Sequence, residues 1–115
     1  MSVKTVSLNY NEQTALTGII DEITANYPFI KKIIIYGSKA RGDFIEESDI
    51  DLLFITDKDI PRTIKTQISD IIYNYELAND IVVSAIFIAE SEFNEKVSLF
   101  LIKVKKEGII LWSRG

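Results

Sequence analysis

The sequence predicts a small α/β protein, more closely α+β, in which a mixed β-sheet carries helices mainly on one face. Three observations lead there. Apolar residues recur at helical spacing in three stretches, over 16–27, 60–75 and 93–104. Between them lie apolar runs of strand length, 29–36, 49–56 and 81–88, bounded by Gly, Pro, Asn and Asp. The resulting order is α-β-β-α-β-α, and the short link between the first two strands makes them antiparallel neighbours.

Taken in order, Val3, Val6, Leu8 and Tyr10 suit an extended arm or an edge strand over Met1 to Tyr10. Asn11 reads as the cap of a first helix whose stripe is Leu16, Ile19, Ile20, Ile23 and Tyr27. Gly18 weakens this helix slightly and Pro28 ends it. Strand Phe29 to Tyr36 follows, then Gly37-Ser38 and a polar loop whose acids Asp43, Glu46 and Glu47 read as solvated. A second strand spans Asp49 to Thr56. Asp57 to Pro61 forms a turn, and Pro61 suits the first turn of the next helix, with stripe Ile60, Ile64, Ile68, Ile71, Ile72 and Tyr75. After Asn79-Asp80 comes strand Ile81 to Ile88. Ser91, Glu92 and Glu95 then open one final helix with stripe Phe93, Val97, Phe100, Leu101 and Val104, ended by Gly108. Ile109 to Trp112 reads as a last short strand or a packed tail. Residues 1–115 contain no repeat, linker or low-complexity tract and are read as a single domain.

Composition narrows the chemistry. The chain has no cysteine, which excludes disulfides, thiol catalysis and Cys-rich zinc sites, and no histidine, which excludes imidazole bases and His-ligated metals. Proton transfer falls to carboxylates, Lys, Tyr or metal-bound water. A net charge of −4 argues against general nucleic-acid binding, and Lys103, Lys105 and Lys106 read as cations at the negative pole of the last helix. No apolar stretch nears the length of a membrane span and no secretory signal opens the chain, so a cytoplasmic location is expected.

The stretch from Ile33 to Thr56 carries the chemistry. Asp49 and Asp51 stand two apart on an otherwise apolar strand, so their carboxylates share one face, roughly 6.6 Å apart along the backbone. Neighbouring carboxylates repel, and partial burial adds a desolvation cost. A divalent cation relieves both, and Mg²⁺ is commonly held by one or two carboxylates together with substrate phosphates. Gly37 lets a phosphate approach the backbone, and Ser38 offers a hydroxyl and an N–H. Together they point to metal-assisted phosphoryl or nucleotidyl transfer.

Gly37-Ser38-Lys39-Ala40-Arg41-Gly42 followed by Ser48-Asp49-Ile50-Asp51-Leu52 resembles the signature of the minimal nucleotidyltransferases, small members of the DNA polymerase beta-like superfamily. The resemblance is most specific over about residues 33 to 56. It implies the polymerase beta-like fold, ATP or another nucleoside triphosphate as substrate, and two Mg²⁺ ions held by Asp49 and Asp51. Gly37 and Ser38 would cradle phosphate. Arg41 either touches phosphate or pairs with an acid such as Asp43 or Asp49 to hold the loop, and Lys39 is expected to face solvent. Active relatives carry a third acid on a later strand, where Asp80 is the candidate in this chain. The competing reading makes Asp80 a turn residue and leaves Val82 or Ser84 at that position.

The resemblance also implies a partner. No length remains for a second domain to clamp the nucleotide, so a second copy or a separate chain is expected to do so. Minimal nucleotidyltransferases are often paired with small helical HEPN proteins, and in some pairs the former is an antitoxin that adenylylates a HEPN toxin. The expected reaction is transfer of AMP from ATP to a hydroxyl of a partner protein or small molecule. The alternatives are a binding module that neutralises a HEPN partner by contact, and a subunit that senses nucleotide without chemistry.

Overall fold

The computed structural model describes residues 8–42 and 49–114. Most of the expected N-terminal arm and the loop with Asp43, Glu46, Glu47 and Ser48 lie outside these residues. The elements run α1 (Tyr10–Asn26), β1 (Ile30–Tyr36), α2 (Ser38–Arg41), β2 (Ile50–Thr56), α3 (Arg62–Asn79), β3 (Val83–Ala89), α4 (Glu90–Glu95), α5 (Leu99–Glu107) and β4 (Ile109–Ser113).

The cap of α1 lies two residues before the expected one. Asn9 caps the helix, its side-chain oxygen accepting from the Glu12 N–H at 2.8 Å while the Glu12 carboxylate accepts from the Asn9 N–H at 3.0 Å. This reciprocal arrangement needs an acid three residues past the cap. Asn9 has one; Asn11 has Thr14 there instead. Gly18 has a tertiary purpose as well as a helical cost, since a Cβ there would run into the Tyr75 ring of α3.

The sheet order is β3-β2-β1-β4. β1 and β2 pair antiparallel, as their short connection requires, with Ile34 opposite Leu53 and Tyr36 opposite Asp51. α3 carries the chain back so that β3 lies parallel to β2, with Ile50 beside Val83 and Asp51 beside Ser84. Residues 109–113 form a strand rather than a tail, pairing antiparallel with β1 from Ile35 opposite Ile109 to Lys32 opposite Ser113. Arg114 ties this end down by donating to the carbonyls of Ile30 at 2.9 Å and Thr24 at 3.0 Å.

The alternation of strand side chains divides the interior in two. Ile33, Ile35, Ile50, Leu52 and Phe54 point to the face covered by α1 and α3, where Leu16, Ile19, Ile23, Ile68 and Ile72 complete the larger core. Ile34, Leu53 and Ile55 point to the other face and meet Val104 of α5 and Phe93 of α4. The two long helices thus share one face, as expected, and the short ones cover the other.

One expectation fails in that second layer. A single helix from Ser91 was read, yet α4 stops at Glu95 and Lys96 takes extended angles. The Ser98 hydroxyl then accepts from the Leu101 N–H at 3.1 Å and begins α5 afresh. A side-chain cap competes with helix continuation, and here it restarts the helical phase. Val97, assigned to the stripe, lies at the break and is 83% exposed.

Candidate active site

The β1–α2 turn has backbone angles that only glycine adopts without strain, with Gly37 at φ 78° and ψ −157°. A Cβ at this position would also collide with the Asp51 carboxylate. The turn and the second acid of the Asp-x-Asp pair are therefore packed against each other. The antiparallel register that sets Tyr36 opposite Asp51 delivers both to the same end of the sheet.

Helix α2 is a single turn whose two cations go to opposite sides. Lys39, expected in solvent, is buried, with its ammonium 3.0 Å from the Glu12 carboxylate. The cap of α1 supplies that acid, so Asn9, Glu12 and Lys39 anchor the turn to the first helix. A long side chain on a polar loop reads as exposed until a buried partner is known. Arg41 reaches the other way and pairs with Glu107, at the end of α5, at 3.1 Å.

A cavity of about 340 Å³ opens between this turn and α5, lined by Gly37, Ser38, Arg41, Asp51, Phe100 and Lys103. Tyr36 and Val104 complete its walls. Of the residues expected at the site, Gly37, Ser38, Arg41 and Asp51 come together here. Asp49 directly precedes β2, exposed, and acts on Asp51 through its charge. Burial first, then the Asp49 charge, push the half-buried Asp51 carboxyl above its usual value, while Arg41 pulls the other way. Burial and the Asp51 charge likewise raise the Tyr36 hydroxyl. The fit to a divalent cation lies in this donor set: two like-charged carboxylates on one strand face, one of them half-buried, which a cation would stabilise in their ionised forms.

Asp80 does not line this cavity. It is the exposed C-cap of α3, held in the left-handed region at φ 53°, and two residues, Ile81 and Val82, separate it from the start of β3 at Val83. The residue beside Asp51 across the β2–β3 ladder is Ser84. Among the described residues, no three His, Cys, Asp or Glu side chains gather as a metal-binding group.

Sequence reasoning missed Tyr36, Phe100 and Lys103 as cavity residues. Phe100 was read as core and Lys103 as a helix-end cation. The spacing of 100, 103, 104 and 107, one face of a helix, was legible. What that face covers was not.

A mixed four-stranded sheet with a Gly-Ser turn packed on an Asp-x-Asp strand defines a nucleotidyltransferase-type protein. Residues 16–111 match the nucleotidyltransferase domain family, and the chain belongs to that family and enzyme class. Over 104 residues it is 38% identical to a Methanocaldococcus jannaschii protein named "Putative protein adenylyltransferase", covering 89% of this chain and 99% of that one. Among solved structures it is similar to a "putative nucleotidyltransferase" from Sulfolobus solfataricus, with TM-score 0.59, 25% identity, and 88% of this chain and 79% of that one covered. It also shares its fold, at TM-score 0.55 and 18% identity, with a chain of a Shewanella oneidensis complex of a tri-AMPylated HEPN toxin and a minimal nucleotidyltransferase antitoxin, covering 89% of this chain and 72% of that one. No helix among the described residues is long and apolar enough to cross a membrane.

Proposed function

We propose that this protein transfers AMP from ATP to a hydroxyl group of a partner protein, and that the partner is a small helical protein of the HEPN kind. The observation that carries the reading is the cavity that joins the Gly37-Ser38 turn to the Asp51 carboxylate, with Asp49 alongside. The adenylyltransferase name of the Methanocaldococcus relative and the AMPylated toxin bound beside the Shewanella antitoxin support the donor and the acceptor class.

Asp49 and Asp51 would hold Mg²⁺, which supplies charge neutralisation at the phosphates and stabilises the attacking and leaving oxygens. The chain's own part is positioning. Gly37 leaves room for a phosphate to approach the turn, the Ser38 hydroxyl can donate to a phosphate oxygen, and Arg41 brings a cation to the cavity. The α-phosphorus–oxygen bond to pyrophosphate breaks as the acceptor oxygen bonds to the same phosphorus. The hydroxyl proton passes to a carboxylate or to solvent.

The test is calorimetric titration of a non-hydrolysable ATP analogue, with and without Mg²⁺, into the wild type and an Asp49→Asn, Asp51→Asn double variant. Metal-dependent binding in the wild type, weakened by at least about 100-fold in the variant, is expected. Equal binding by both proteins would remove the two acids from the site.

The position of Asp80 favours a second reading, in which the chain neutralises its partner by contact with little or no transfer. Asp80→Asn separates the two. Under the first reading, with Asp80 completing the metal site, it lowers transfer; under the second, neutralisation survives unchanged.

A further inference from the structure

Helix α5 closes the cavity opposite the Gly-Ser turn, and it lies outside the signature stretch. Its inward face presents an aromatic ring at Phe100, an ammonium at Lys103 and, one turn on, the Glu107 carboxylate that holds Arg41. Val104, on the same face, is buried in the smaller core and fixes the helix against the sheet.

Two features of that face are not accounted for by core packing. Phe100 stays 38% exposed although large, and its ring is held at 86° against Tyr36 with centroids 5.3 Å apart. An exposed aromatic held on the wall of a cavity that also carries a hydroxyl, a carboxylate and cations is a stacking platform. Lys103 makes no ion pair among the described residues, whereas Arg41 is already engaged by Glu107 and Lys105 lies over the Phe93 ring. It is a cation on the wall of this cavity, with no ion pair among the described residues to commit its charge.

We propose that α5 is the nucleotide-selecting wall of this site, with Phe100 stacking on the nucleobase and Lys103 engaging the polyphosphate. This rests on the nucleotide reading given above and extends it to selectivity. A phenyl ring offers a π-face and no hydrogen bonds, so it holds any base and favours purines by stacking area. The ligand class is therefore a purine nucleoside triphosphate, with adenine and guanine accepted alike at this wall. Lys103 adds a point charge for the phosphates, separate from the metal-holding acids.

The experiment is magnesium-dependent titration of ATP, GTP and inorganic tripolyphosphate into wild type, Phe100→Leu, Lys103→Met and Lys106→Met, each first matched to wild type by circular dichroism. Phe100→Leu should weaken ATP and GTP equally, by about tenfold, and leave tripolyphosphate unchanged. Lys103→Met should weaken all three by about tenfold, and Lys106→Met none. The proposal is overturned if both α5 variants bind ATP like the wild type while the Asp49, Asp51 double variant does not. It is overturned for Lys103 if Lys106→Met has the same effect, since the charge would then act diffusely. Wild type that binds neither ATP nor tripolyphosphate sinks the nucleotide reading itself, and this wall with it.

Discussion

Along β2, Ile50, Leu52 and Phe54 point to one side of the sheet, and Asp49, Asp51, Leu53 and Ile55 to the other. On the first side every one of the three is fully buried beneath two helices of 17 and 18 residues. On the second, Leu53 and Ile55 meet a smaller cluster under helices of 6 and 9 residues, and the strand's beginning runs past that cover into the cavity. The difference teaches where a site can form. Carboxylates cannot face a closed apolar core, because burial of an unpaired charge is too costly. They can stand where a thin layer ends and leaves room for a ligand. The larger face supplies rigidity and the smaller face supplies chemistry, from one strand.

Helix α2 joins the two sides, and it is the place to break this division. Lys39→Met should have the largest effect. It removes one half of a buried ion pair and leaves Glu12 uncompensated, a loss of about 3–5 kcal/mol in urea unfolding. A loss below about 1 kcal/mol would mean that the turn is not anchored to the large-core side. Gly37→Ala comes next. Its positive φ and the crowding against Asp51 should cost about 1–3 kcal/mol and weaken nucleotide binding together, since the same contact serves both. Unchanged affinity in a destabilised variant would separate the turn from the site.

The smallest effect is the most direct reading of the second face. Because burial and Asp49 raise the Asp51 carboxyl, the folded protein holds that proton more tightly than the unfolded chain. The stability linked to this group is fully present below the ordinary value of 3.8 and is lost as pH rises through the raised folded value. Asp51→Asn should therefore raise the melting temperature at neutral pH without metal, with the gain shrinking toward pH 4. A lower melting temperature at neutral pH would make the ionised carboxylate a stabilising group and contradict the strain assigned to this end of the strand.

Much of this was legible in the residues. The apolar periods placed the long helices and strands within a few positions, because burying one stripe or one face leaves a repeat that survives in one dimension. The Asp49, Asp51 alternation and the Gly37-Ser38 turn were visible for the same reason, being local. The break at Lys96 was not, since a continuous apolar stripe hid a serine that caps a new helix. Lys39 was misread because its partner, Glu12, lies 27 residues away.

By itself the sequence determined the strand–turn–strand that carries the paired acids, the antiparallel order of β1 and β2, and the absence of imidazole and thiol chemistry. These depend on residue type and short-range spacing. Only the tertiary structure decided that α5 walls the cavity, that Lys39 is buried while Arg41 is bound to Glu107, and that Asp80 caps α3 and does not line the cavity. Each of those rests on contacts between segments distant in the chain, and no local repeat encodes which face of one helix will meet which end of a sheet.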